Sequence, residues 1–249
     1  VKINAFIPVR MSSSRFPGKP LTKLLDITML EHVWRRTKMS EVDETYIALC
    51  DKETEDICKK IGAKYVTTSK KHQMCMDRIA EASNKKKSDV IVTVQGDEPL
   101  IRPEMINLTI KQLLKNKKKL FCTTLAQKIS STSEIKNPNK VKIIWNNKKE
   151  VIYISREAIP SSAKYKNKID FYKMVCVYTM TKKNLNKFQK YGISKNEKIE
   201  SIDMLRILDN CERLGINIIK GEVENIDVKA DIPKVIKLLK KDNLIKKYF

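Results

Sequence analysis

The stretch Lys2-Ile3-Asn4-Ala5-Phe6-Ile7-Pro8-Val9, followed at once by Arg10-Met11-Ser12-Ser13-Ser14-Arg15-Phe16-Pro17-Gly18-Lys19-Pro20, decides how the rest of the chain is read. Its first part is short, apolar and stopped by Arg10, which is the pattern of a buried strand. Its second part is a polar turn with three serines, three cations (Arg10, Arg15, Lys19) and Gly18, where the backbone can approach a ligand closely. In an open α/β sheet, ligands bind beyond the carboxyl ends of the strands. Hydroxyls, tight backbone turns and cations at such a place suit a triphosphate. A solvated basic turn would use the same residue types, but three cations this close together at a strand end favour a phosphate loop. The pattern G-x-x-x-x-G-K-[ST] is absent, so the loop is not a Walker A motif.

Outward from this loop, strands and helices alternate. Thr45–Cys50, Lys64–Thr67, Asp89–Gln95 and Leu120–Leu125 read as strands. Met29–Arg36, Thr54–Ile61, Met74–Ala82 and Pro103–Leu114 read as helices, the last opened by proline in its first turn. This alternation predicts an α/β fold with a mostly parallel sheet and helices on both faces. The pattern changes after about Ser130. Lys140–Trp145 and Glu150–Ser155 read as a hairpin around Asn146-Asn147, and Phe171–Met180 as a further strand. The section from about 130 to 180 is expected to be an insertion or small subdomain within one domain spanning 1–249. Glu200–Leu214 reads as an amphipathic helix closed by Gly215, Ile216–Lys220 as a strand and Ile232–Lys241 as a last helix.

The chain has 249 residues and a formal net charge of +22, with 42 lysines and 9 arginines. Lysine supplies point charge without the planar fork that reads bases, and the lysines are dispersed in twos and threes. No basic arm or nucleic-acid-binding signature accompanies them, so nucleic acid is not the expected partner. No apolar run approaches the length of about 18–20 residues that a membrane helix needs. The six cysteines form no C-x-x-C pair, and with two histidines they support no zinc site of ordinary spacing. Reduced thiols and the lack of a signal-peptide pattern lead to an expected cytoplasmic location.

A second motif follows the strand at Asp89–Gln95. Gly96, Asp97, Glu98 and Pro99 come directly after it. A carboxylate at a strand end, facing a basic phosphate loop, is placed to hold Mg²⁺. A strand-end turn that caps the next helix would look similar.

The two motifs together resemble the CMP-sugar synthetases, above all the 3-deoxy-manno-octulosonate (KDO) cytidylyltransferase family. The loop is similar to that family's P-A-R-x-x-S-x-R-x-P-G-K-P, with Val9 in place of the alanine. Val94-Gln95-Gly96-Asp97-Glu98-Pro99 matches its V-Q-G-D-E-P. The resemblance runs from about residue 2 to 240 and is most specific in the N-terminal half. It implies a Rossmann-like three-layer αβα nucleotidyltransferase fold, with the 130–180 section serving as a homodimer surface. It assigns Arg10, Ser13, Ser14, Arg15, Lys19 and Arg78 to the nucleotide, Arg78 through His72-Gln73-Met74-Cys75-Met76-Asp77-Arg78, which is similar to H-x-S-G-T-D-R. Met74, Cys75 and Met76 replace the Ser-Gly-Thr that lines the family's cytosine pocket. Asn225-Ile226-Asp227-Val228-Lys229-Ala230-Asp231 resembles G-V-D-T-P-E-D, which makes Asp227 the metal-binding partner of Asp97, although Val228-Lys229 stands for Thr-Pro.

The acceptor side follows from the same resemblance. Gln95, Arg156, Lys173 and Glu200 are the expected sugar contacts. Arg156 comes from Tyr153-Ile154-Ser155-Arg156 and Ile159-Pro160, similar to Y-F-S-R-x-x-I-P, and its guanidinium suits the carboxylate of a 2-keto sugar acid. A surface salt bridge is the plainer reading of that arginine. Glu200 belongs to a stretch similar to E-x-I-E-x-x-x-x-L-R, and a helix-capping role is equally open to it. Lys173 stands where the family carries the histidine of H-x-G-x-Y. The implied reaction joins CTP to KDO or a close analogue, releasing pyrophosphate, with Mg²⁺ as cofactor and Lys19, Asp97 and Asp227 as the catalytic set. No histidine base stands out near the motifs. Alternatives are CMP activation of another acid (8-amino-KDO, a nonulosonic acid or a phosphonate), a sugar-nucleotide-binding glycosyltransferase, and a basic nucleic-acid-binding module.

Overall fold

The apolar run that opens the chain is strand β1 (Ile3–Pro8), buried from Asn4 to Pro8. In this computed structural model, which describes residues 1–12, 15–165 and 167–249, β1 is central to a parallel four-strand arrangement. A short hairpin, β2 (Lys23–Leu24) with β3 (Ile27–Thr28), follows the basic loop and leads into α1 (Met29–Lys38). Then come β4 (Glu44–Leu49), α2 (Lys52–Ile61), β5 (Tyr65–Thr67), α3 (Cys75–Asn84) and β6 (Val90–Val94). β1 pairs in parallel with β4 on one side and β6 on the other, and β4 pairs in parallel with β5. Every residue of β6 is buried, as expected of a parallel strand with both faces covered.

Local chemistry sets the helix ends. The Thr28 hydroxyl accepts from the Glu31 N–H at the start of α1. Gly62, at φ 68°, closes α2 in a left-handed conformation that costs glycine little. The chain divides into two compact units, Val1–Asn107 with Val223–Phe249, and Leu108–Glu222. Helix α4 (Pro103–Asn116) carries the chain from the first to the second.

The second unit contains β7 (Cys122–Lys128), α5 (Thr132–Lys136), β8 (Lys142–Trp145), β9 (Val151–Ser155), β10 (Tyr172–Thr181), α6 (Lys182–Tyr191), α7 (Lys195–Glu200), α8 (Leu205–Asp209) and β11 (Leu214–Ile219). β11 is parallel to β7 and β10 antiparallel to it; β8 is antiparallel to both β10 and β9. The section 130–180 lies inside this unit. The chain then returns to the first unit with α9 (Ile232–Lys241). There Arg36, fully buried, donates to Asp242 at 2.7 Å and to the Tyr248 hydroxyl at 2.8 Å, which holds the last residues against α1.

The α/β class and the mostly parallel sheet are as expected, but two local expectations fail. The helix expected over Glu200–Leu214 is instead the end of α7, the short α8 and the start of β11. Ser201 adopts φ 52° and stops α7. Arg206 then turns back to make two bonds to the buried Glu197 carboxylate, at 2.7 and 2.6 Å. That pair satisfies both charges inside the protein across the break. Gly215 is therefore not a helix cap but a strand residue, paired with Thr123. The hairpin β8–β9 is present, but its turn is wider than Asn146-Asn147. The Asn146 side chain accepts from the N–H groups of Lys148 and Glu150, and Lys149 takes φ 59°.

Among the described residues, no helix is long and apolar enough to cross a membrane. Gly215 carries a direct test of the revised strand. A Cβ there would lie 2.6 Å from Leu120 Cδ1 and 3.1 Å from Gln112 Nε2. Gly215→Ala is expected to destabilise the fold by about 1–3 kcal/mol through overpacking, read from urea denaturation midpoints at unchanged slope.

Candidate active site

The basic loop leaves β1 and is folded back on itself. The Gly18 N–H donates to the Met11 carbonyl at 3.1 Å, and Gly18 takes φ 72°, a conformation open to glycine at little cost. The Met11 N–H in turn donates to the Asp51 carboxylate at 2.8 Å, which pins the start of the loop to the start of α2. Nothing in the motif points to Asp51, because it lies 40 residues away. Ser13 and Ser14 lie outside the described residues.

The end of β6 approaches the same loop closely. A Cβ on Gly96 would sit 2.8 Å from Val9 Cγ1 and 2.9 Å from the Pro8 carbonyl oxygen. Glycine at 96 therefore lets the two strand ends meet, and it delivers Asp97 to the cations. Lys19 Nζ lies 2.6 Å from Asp97 Oδ2 and donates to the Ile226 carbonyl at 2.9 Å. The Ile226 N–H donates to the Asp97 carbonyl at 3.0 Å, so the two carboxylate-bearing turns are also joined through the backbone. Arg15 lies 3.3 Å from Asp227 Oδ1.

Asp227 is buried and feels the negative charge of Asp97. Burial first, and that neighbour second, push its carboxyl above the usual aspartate range, against the pull of Lys19 and Arg15. Two carboxylates thus converge with cations alongside, and perturbed groups of this kind mark a candidate functional site.

These groups border a cavity of about 220 Å³ whose wall includes Arg10, Arg15, Lys19, Arg78, Gln95 and Asp97. Five expected nucleotide or acceptor residues thus share one cavity with Asp97, the expected metal ligand. Arg10 reaches the Gln73 carbonyl at 3.5 Å. Arg78, on α3, is buried and donates to the Thr68 hydroxyl at 2.5 Å. Gln95 donates to the Cys75 sulfur. Met74 and Cys75 are part of the cavity wall, whereas Met76 is fully buried in the core. Two of the three departures from Ser-Gly-Thr therefore reshape the cavity, and the third does not. His72 is also in the wall, though no histidine base was expected there, and its Nε2 is held by Glu81 at 2.6 Å. Despite desolvation, the Ser69 N–H, His72 and Lys85 hold the Glu81 carboxyl down to about 2.

The remaining expected acceptor residues lie in the second unit. Arg156 and Glu200 are joined. The Glu200 carboxylate accepts from the Ser155 hydroxyl at 2.7 Å and from the Arg156 N–H at 2.9 Å. The Arg156 guanidinium donates to the carbonyls of Glu200, Ser201 and Pro138. It braces the end of β9 and is not the lone surface cation of a simple salt bridge. Lys173 is buried on β10, opposite the fully buried Lys142. The Lys142 ammonium donates to the carbonyls of Asn137 and Arg156, and burial lowers its pKa.

A basic loop at the end of β1, brought against one carboxylate just after β6 and a second in the turn 225–231, is the arrangement expected of a nucleotidyltransferase. Comparison with known proteins agrees. The pattern of a family described as cytidylyltransferase matches residues 4–221. A 3-deoxy-manno-octulosonate cytidylyltransferase of Fusobacterium nucleatum is 34% identical over 245 residues, covering 98% of this chain and 99% of that protein. One from Francisella tularensis is 34% identical, covering 95% of this chain and 98% of its own length. Among solved structures, a CMP:2-keto-3-deoxy-manno-octonic acid synthetase complexed with CTP superposes with a TM-score of 0.89 at 28% identity, over 97% of this chain and 99% of that one. The chain belongs to the cytidylyltransferase family, and the resemblance read from its motifs is borne out.

The raised Asp227 pKa has a thermodynamic consequence. Between the unfolded and folded values the folded state binds more protons, so stability falls as pH rises through that window. Above it, the ionised Asp227 remains a standing cost. Asp227→Asn is therefore expected to raise Tm at pH 7 and to flatten its fall from pH 4 upward, as read by calorimetric scans over pH. A lower Tm at neutral pH would show that the cations outweigh burial at this carboxylate.

Proposed function

We propose that this chain couples CTP to a 2-keto-3-deoxy sugar acid, KDO or a close analogue, giving the CMP-sugar and pyrophosphate. The observation that carries the reading is the meeting of Arg15 and Lys19 with Asp227 and Asp97. The names of the relatives and of the CTP-bound neighbour supply the base and the acid. The anomeric hydroxyl attacks the α-phosphorus in line, the bond from that phosphorus to the α–β bridging oxygen breaks, pyrophosphate leaves with that oxygen, and the hydroxyl's proton passes to solvent.

Asp97 and Asp227 fit Mg²⁺. Both are hard oxygen donors, they are close enough for one to shift the other's pKa, and Mg²⁺ is commonly held by one or two carboxylates together with substrate phosphates. Bound there, Mg²⁺ would offset charge on the phosphoryl oxygens and lower the pKa of the attacking hydroxyl. Arg15 and Lys19 transfer from the carboxylates to the β- and γ-phosphates. Arg10 joins them or braces the loop. Arg78, anchored by Thr68, holds the nucleotide wall. Catalysis is then positioning and electrostatic stabilisation by charges gathered at one place, whose partners change when substrate binds.

On the acceptor side, Gln95 contacts the sugar acid from within the cavity wall. In the second unit, Lys173 is buried on β10, and Arg156 and Glu200 shape the end of β9; the resemblance alone assigns them to the acid. Lys173 in place of the family's histidine favours a second reading, in which the acid is not KDO.

Pyrophosphate release from CTP and Mg²⁺ tests the function, with KDO, 8-amino-KDO, a nonulosonic acid and no acid as parallel arms. Release with CTP that depends on one of these acids is expected, with ATP inactive. Asp97→Asn is expected to lower turnover by at least about 100-fold, the scale of losing one preorganised charge-stabilising group. Release without any acid, or full activity in Asp97→Asn, would contradict the proposal.

A further inference from the structure

The turn 225–231 is tied to the basic loop at several points. The Asp231 carboxylate accepts from the N–H groups of Asp227 and Val228, at 2.7 and 3.0 Å, and the Asp231 N–H returns to the Val228 carbonyl at 3.0 Å. These bonds fold Lys229–Asp231 into one 3₁₀ turn. They leave the exposed Lys229 with its ammonium 5.7 Å from the centre of the Phe16 ring. Phe16 is only 5% exposed and stands between Arg15 and Lys19 in the loop, and its carbonyl accepts the Lys19 N–H at 3.3 Å. A cation over an aromatic face is attracted by the negative face of the ring.

The ties between loop and turn are of two kinds. Arg15 to Asp227, and Lys19 to Asp97 and the Ile226 carbonyl, use the groups that the proposed reaction needs for phosphate and metal. Those ties must loosen when a nucleotide enters. Lys229 on Phe16 uses neither the phosphate-binding cations nor the carboxylates. Among these ties, it is one that an entering nucleotide need not displace. It also keeps a further positive charge beside the loop that takes the triphosphate.

We infer that Lys229 is a positioning residue for the phosphate loop, acting through Phe16 to favour the nucleotide's β- and γ-phosphates over the rest of the substrate. The inference rests on the cytidylyltransferase reading and adds a residue at the place where this chain has Val228-Lys229 instead of the family's Thr-Pro.

The test is calorimetric titration of the full chain, without acceptor, with CTP and with CMP, for wild type, Lys229→Met and Lys229→Arg. Methionine keeps the apolar stem and removes the cation; arginine keeps the cation over the ring. Lys229→Met is expected to weaken CTP binding about 2- to 5-fold, the scale of one exposed cation–π contact, with CMP binding unchanged. Lys229→Arg is expected to restore CTP binding. Unchanged CTP affinity in Lys229→Met would overturn the inference, as would equal weakening of CMP, which marks a general loss of structure. A wild-type chain that binds no CTP would instead overturn the nucleotide reading, and this inference with it.

Discussion

The Lys19 ammonium lies between the Asp97 carboxylate, at 2.6 Å, and the Ile226 carbonyl, at 2.9 Å, and in that position it joins three stretches far apart in the sequence. Asp97 follows β6, Lys19 follows the loop after β1, and Ile226 precedes Asp227. Two aspartates brought together in a partly buried place repel each other, and desolvation adds to the cost. Cations from the loop offset part of this cost, and burial still leaves the Asp227 carboxyl above its usual range. The same cations are the ones that the proposed function transfers to the phosphates.

Much of the first unit serves this arrangement. β1 and β6 run side by side, so their carboxyl ends emerge together, and Gly96 removes the side chain that would hold those ends apart. Asp51 holds the start of the loop, and Gly18 closes it. Arg36, Asp242 and Tyr248 hold the C-terminal residues against α1. His32 is part of that packing. Burial drives its pKa down to about 4, so at neutral pH it is an uncharged ring between the Tyr248 hydroxyl and the Leu24 carbonyl rather than a base for the reaction.

The loop and the Asp97 motif were legible because each is a contiguous run at a strand end, where residue type and position carry the chemistry together. Asp227 needed the resemblance, since its own surroundings depart from the family's pattern. Asp51 was not legible, because a hydrogen bond to a backbone N–H leaves no mark on the distant partner's sequence. The break in the helix expected over Glu200–Leu214 was hidden for a related reason. Its apolar spacing suits a helix, and only the buried Arg206–Glu197 pair and the left-handed Ser201 make two short helices the better solution. Arg156 was expected as a contact to the acid's carboxylate, and its three backbone carbonyl partners come from turns that no motif connects.

The central claim is that Asp97 and Asp227 trade their internal cations for a metal and a triphosphate. Its most direct test is calorimetric titration of CTP with and without Mg²⁺, on wild type and on Asp97→Asn. The account predicts that Mg²⁺ strengthens CTP binding by wild type and that this gain is lost in Asp97→Asn. An equal Mg²⁺ effect in both proteins would contradict it.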